Sequence, residues 1–103
     1  GNAPFVVLDD ADIEAALDGA MIAKMRNAGE ACTAANRFYV QRGIYSAFVD
    51  KLVARMAALK VGPGPEVTTQ CGAMINRAAV DKIEALVEDA LAKGAKLRLG
   101  GVA

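Results

Sequence analysis

The run Phe5-Val6-Val7-Leu8 is apolar at every position and closes on Asp9-Asp10. A strand with one face in water alternates apolar and polar side chains, whereas a strand covered on both faces does not. The run therefore predicts a buried strand of the parallel type. Parallel pairing requires a crossover, and the next segment supplies one. Ile13, Ala16, Leu17, Ala20, Met21 and Met25 recur at three- and four-residue intervals, the spacing of a helix face. Asp9, Asp10 and Asp12 stand where carboxylates complement a helix N-terminus. The helix is expected to end near Asn27, where small and polar residues carry the chain through a turn to Asn36. Phe38-Tyr39-Val40, framed by Arg37 and Gln41, predict a second strand, and Gly43 breaks that pattern.

Beyond Gly43, Tyr45, Phe48, Val49, Leu52, Met56 and Leu59 have helical spacing, and Gly62-Pro63-Gly64-Pro65 cannot continue it. A loop to about Ile75 follows. Asn76 then caps a third helix whose face is Val80, Ile83, Leu86, Val87, Ala90 and Leu91, with Gly94 as its stop. Leu97 and Leu99 alternate with Lys96 and Arg98, the pattern of a last strand near an edge. The order strand, helix, strand, helix, helix, strand favours an α/β fold of parallel strands with flanking helices, in a three-layer-type arrangement. Gly1-Asn2-Ala3 and Gly100-Gly101-Val102-Ala103 read as loops cut in mid-sequence, so the chain is expected to be a piece of a larger domain.

Charge and composition narrow the chemistry. Twelve basic and twelve acidic residues cancel, and the basic ones are spread along the chain, which gives no footprint for a phosphate backbone or an anionic membrane. No nucleic-acid partner and no membrane partner are expected. The chain has no histidine, so neither a Cys/His zinc site nor a Cys–His catalytic pair can be built from it, and no metal is expected. Cys32 and Cys71 make no disulfide framework, and a reducing, cytoplasmic compartment fits them best.

With serine reduced to Ser46, a cysteine is the one strong nucleophile left. Cys32 lies in the small-residue turn Asn27-Ala28-Gly29-Glu30-Ala31-Cys32, where free backbone N–H groups, Lys24 and Arg26 favour a thiolate. The competing reading, a buried structural cysteine, is by far the commoner fate of a free thiol. Cys71, between Gln70 and Gly72, lacks such surroundings and reads as structural. Lys24 and Arg26 read as a solvated helix end favoured by the helix dipole, and Glu30 as a solvated turn residue. Gly62-Pro63-Gly64-Pro65 lacks a following Lys-Ser/Thr and is no phosphate cradle. No dinucleotide fingerprint occurs anywhere in the chain.

The stretch Lys24-Met25-Arg26-Asn27-Ala28-Gly29-Glu30-Ala31-Cys32 resembles the active-site cysteine signature of the aldehyde dehydrogenase superfamily, whose form is Phe-x-Asn-x-Gly-Gln/Glu-x-Cys. At the family's spacing upstream, Gly1-Asn2-Ala3-Pro4 resembles the segment that follows the family's glutamate motif. Weaker similarity continues through Asn36-Arg37-Phe38-Tyr39-Val40 to Gly100-Gly101. Among subfamilies the stretch is most similar to succinate-semialdehyde dehydrogenases. Met25 stands where an aromatic residue is usual, and Glu30 replaces the commoner glutamine.

The resemblance implies a catalytic Cys32 that attacks an aldehyde, and an oxidation that uses NAD or NADP. It implies that Arg26 binds the distal carboxylate of a small-molecule aldehyde such as succinate semialdehyde, as a guanidinium fork suits. It further implies that residues 1–103 are the centre of one catalytic domain of a homo-oligomeric enzyme, roughly a fifth of a family member. The cofactor-binding domain, the glutamate that activates water and an oxyanion-binding asparagine lie in other family sequence. The isolated chain is therefore expected to be catalytically silent and, through exposed apolar faces, prone to associate. Ala34 stands where some members carry a second cysteine, so no redox switch is expected.

Overall fold

The computed structural model describes residues 2–102. The readings made above for Gly1 and Ala103 lie outside them. The chain divides into two compact units, the first running to Lys60 and the second beginning at Val61.

The first unit is built on two parallel strands, β1 (Ala3–Val7) and β2 (Ala35–Val40), in register from Phe5 opposite Phe38 to Val7 opposite Val40. Ala3, expected in a loop, is already strand, because it pairs with Ala35 at the start of the ladder. The crossover is helix α1 (Ile13–Met25), capped by Asp12, whose carboxylate accepts from the Ala15 N–H at 3.0 Å. Helix α2 (Arg42–Ala57) follows β2 at once. It starts before Tyr45, so Gly43, which follows the end of β2, already lies in its first turn. A Cβ on Gly43 would sit 2.8 Å from the carboxylate of the exposed Asp9, which would have to turn aside to admit it. The Gln41 side chain reinforces the junction of α2 with the end of β1 by accepting from the Asp9 N–H at 2.8 Å.

Alternation puts Phe5, Val7, Phe38 and Val40 on one face of the sheet, and both helices cover that face. Val7, Leu17, Ala20, Ile44 and Phe48 form the buried cluster, flanked by Phe5, Ile13, Phe38, Val40 and Leu52. On the other face Val6, Leu8 and Tyr39 are exposed. The described residues thus supply the sheet and one helical layer of the expected α/β arrangement. Across the outer surface Glu14 pairs with Lys51 and Arg55, and Arg55 also with Asp18, which ties α1 to α2.

In the second unit, Val61 and Cys71 form a bridge across the Gly/Pro loop. Helix α3 (Arg77–Ala92) has the predicted cap, with Asn76 Oδ1 accepting from the Ala79 N–H at 2.9 Å. Val80, Ile83 and Val87 of α3 line an apolar groove together with Val61 and Met74. The strand expected around Leu97 and Leu99 does not form. Alternation alone makes no strand, and among the described residues this segment belongs to no strand of the two-stranded sheet. No described helix is long and apolar enough to cross a membrane.

Candidate active site

Helix α1 delivers the chain to the turn that carries Cys32. Its last hydrogen bond runs from the Arg26 N–H to the Ile22 carbonyl. The backbone then reverses through three left-handed residues in succession, Asn27 (φ 53°), Ala28 (φ 54°) and Gly29 (φ 82°). Asparagine and glycine tolerate this region, whereas alanine does so only under local strain. The Glu30 N–H closes the reversal on the Asn27 carbonyl at 3.0 Å. A second tight turn, closed by the Ala34 N–H on the Ala31 carbonyl at 2.9 Å, brackets Cys32 and Thr33. Ala34 and Ala35, each 2% exposed, then anchor the chain into β2.

Cys32 is accordingly an exposed free thiol on a turn, with buried anchors directly behind it. Its own backbone N–H donates to no acceptor among the described residues. An unused N–H beside a nucleophilic sulfur is the arrangement that receives a developing oxyanion. Arg26 stands at the other end of the same turn. It is exposed, and its guanidinium has no ion-pair partner among the described residues. Glu30 lies between them, also exposed. The structure therefore brings Cys32, Glu30 and Arg26 onto one surface turn. Cys71 belongs to the second unit, where it is half-buried and its carbonyl accepts from the Gly62 N–H at 3.1 Å.

Lys24 departs from its expected role. It is half-buried, and its ammonium donates to Asn36 Oδ1 across the turn. Helix-end statistics concern neighbours within a turn or so, and an acceptor twelve residues away is invisible to them; only an asparagine at the mouth of the next strand hinted at it. Arg37 makes a second long-range tie, donating from Nε (3.2 Å) and Nη2 (2.8 Å) to the Asn2 carbonyl and joining the start of β2 to the start of β1.

Among the described residues no group of three or more His, Cys, Asp or Glu side chains is placed to hold a metal. A nicotinamide cofactor's pyrophosphate needs free N–H groups at a glycine-rich turn. The connection from β1 to α1 instead presents Asp9, Asp10 and Asp12, with the Asp12 side chain already occupying the helix N-terminus. The residues here do not fit the cofactor's phosphates.

Comparison with known proteins places these features in context. The family model described as "Aldehyde dehydrogenase family" matches residues 1–103. The chain is 54% identical over 101 residues to a probable succinate-semialdehyde dehydrogenase [NADP(+)] of Sinorhizobium fredii, covering 98% of this chain and 21% of that protein. It is also 54% identical to a glutarate-semialdehyde dehydrogenase of Pseudomonas aeruginosa, with the same coverage. The crystal structure of succinate-semialdehyde dehydrogenase from Burkholderia pseudomallei superposes with a TM-score of 0.91 at 53% identity, over 98% of this chain and 21% of that one. The chain thus spans about a fifth of the length of these relatives.

Proposed function

The chain belongs to the aldehyde dehydrogenase family, and from that premise we propose that it serves the NAD(P)-dependent oxidation of a short aldehyde carrying a distal carboxylate, as a central part of one catalytic domain. Cys32 is the nucleophile and Arg26 the carboxylate-binding residue. The observation that carries this reading is the exposed Cys32 thiol on the same turn as the Arg26 guanidinium, the Cys32 backbone N–H and the guanidinium both lacking a partner among the described residues.

In the step assigned to this chain, the Cys32 thiolate attacks the aldehyde carbon. A C–S bond forms, and the carbonyl π pair moves onto oxygen, where the Cys32 N–H meets it. Arg26 orients the substrate by pairing with the carboxylate at its far end, which a planar fork does better than an ammonium. The oxidant of the whole enzyme is NAD or NADP, and no residue here is assigned to it. The named substrates of the two relatives, succinate and glutarate semialdehyde, differ by one methylene. A contact at one end of the substrate fixes the class rather than the length, since one methylene changes discrimination by only about 10–200-fold. Two free thiols fit a reducing compartment.

The test is the initial rate of nicotinamide reduction by the full-length enzyme, with succinate semialdehyde and with an uncharged aldehyde of similar length. Cys32→Ser is expected to abolish both rates. Arg26→Ala is expected to lose about ten- to hundredfold on the carboxylated substrate alone, the size of a lost charge-assisted hydrogen bond. A wild type that prefers the uncharged aldehyde removes the substrate class and the role of Arg26; turnover by Cys32→Ser removes the nucleophile.

A further inference from the structure

We infer that Lys24 is a positioning residue for the Cys32 thiol, acting through its hydrogen bond to Asn36; this rests on the reading of Cys32 as the nucleophile. The chain leaves α1 at Met25 and enters β2 at Ala35, and between these points two backbone hydrogen bonds close only local turns, Asn27 to Glu30 and Ala31 to Ala34. Neither joins the exit of the helix to the entry of the strand. The Lys24 ammonium donating to Asn36 Oδ1 does so, one residue inside each element.

The lysine also packs against the turn itself. A Cβ on Gly29 would lie 3.1 Å from the Lys24 carbonyl oxygen, 3.5 Å from its Nζ and 3.6 Å from its Cε. The left-handed reversal is therefore seated on the Lys24 side chain and backbone. Residues in the left-handed region persist where their surroundings over-determine them, and here the surroundings are Lys24. No carboxylate pairs with Lys24 among the described residues, so its ammonium is committed to the asparagine. Cutting this tie leaves the fold's buried cluster untouched and frees the turn to shift. A displacement of the order of 1 Å at a reacting atom costs up to about a hundredfold in rate.

The experiment is made in the full-length enzyme, with kcat, KM and the pH dependence of Cys32 alkylation by iodoacetamide as readouts. Lys24→Met, which keeps the aliphatic stem, is expected to lower kcat and the limiting high-pH alkylation rate together by about tenfold or more, with KM for the aldehyde held. Lys24→Arg, which still donates to Asn36, is expected to restore most of both. Asn36→Leu should reproduce the loss, and the double variant should lose no more than the worse single one, as for two partners in one interaction. Unchanged kcat and alkylation in folded Lys24→Met overturn the inference. So does a change confined to the midpoint of the alkylation profile, which would make Lys24 an electrostatic residue, and so does additivity in the double variant. Should Lys24→Met not fold, Asn36→Asp, which keeps an acceptor, is expected to retain both rates, and its inactivity with a native far-UV spectrum refutes the tie. Cys32→Ser run in parallel separates the two ideas: its turnover would remove the nucleophile whatever Lys24 does.

Discussion

Replacing Gly29 by alanine tests whether the left-handed turn sets the reactivity of Cys32. Gly29 has φ +82°, and a Cβ there would stand 3.1 Å from the Lys24 carbonyl oxygen. Placing an L-residue in the left-handed region costs about 1–2 kcal/mol. Alanine also restricts the unfolded chain, which offsets about 0.4–1 kcal/mol of that. The balance is a loss of about 1 kcal/mol before any contact is counted. The contact is with a backbone oxygen that cannot rotate aside, so the turn must move. Gly94 provides a matched control, with φ +94°, nothing within 4 Å of a built Cβ, and its N–H donating to the Leu91 carbonyl at 3.0 Å as α3 ends. Gly94→Ala is expected to lose about 1 kcal/mol, and Gly29→Ala at least as much because of its added contact, in urea unfolding followed by far-UV circular dichroism. Only Gly29→Ala is expected to slow Cys32 alkylation, by about tenfold. If Gly29→Ala alkylates as fast as Gly94→Ala, the conformation of this turn does not govern the thiol and the reasoning fails.

Three further outcomes follow from packing, capping and charge. Phe48→Ala, at 1% exposure in the cluster with Leu17 and Val7, is expected to cost about 3–5 kcal/mol in thermal or urea unfolding; a loss under about 1 kcal/mol would mean that α2 does not hold the sheet. Asn76→Ala removes the acceptor for the Ala79 N–H and should lower stability by about 1 kcal/mol, with hydrogen exchange accelerated in the first turn of α3. Hydrogen bonds from Lys51 and then Arg55 hold the exposed Glu14 carboxyl below its ordinary value of 4.5. A depressed carboxylate stabilises the fold above that value and loses the effect as pH falls through its lower folded value. The stability difference between wild type and Glu14→Gln should therefore be present at neutral pH and vanish in acid, and a pH-independent difference would exclude the ion pairs as its origin.

What was legible in the sequence follows the range of the interactions involved. Helix α3 was legible because its period, its Asn76 cap and its Gly94 stop are all local. The unalternating run at Phe5–Leu8 marked a parallel strand, paired with the segment named for it, but not a buried one, since Val6 and Leu8 are exposed. Gly43 follows the end of β2, as the broken strand pattern indicated, but that pattern does not show that it already lies in the first turn of α2. Leu97 and Leu99 show the converse, a strand pattern without a strand beside it. Of the site, the turn and its thiol were visible in the small residues and in the cysteine motif. The Lys24–Asn36 tie depends on how α1 and β2 are brought side by side, which no local spacing encodes.

The open face of the sheet has an optical consequence. The chain has no tryptophan and two tyrosines, and both Tyr39 and Tyr45 line the exposed groove beside Val6 and Leu8. Its ultraviolet emission therefore comes from that surface and not from the cluster around Phe48. A change in tyrosine fluorescence reports what comes to lie on the sheet, while melting of the interior is read from the peptide bands instead.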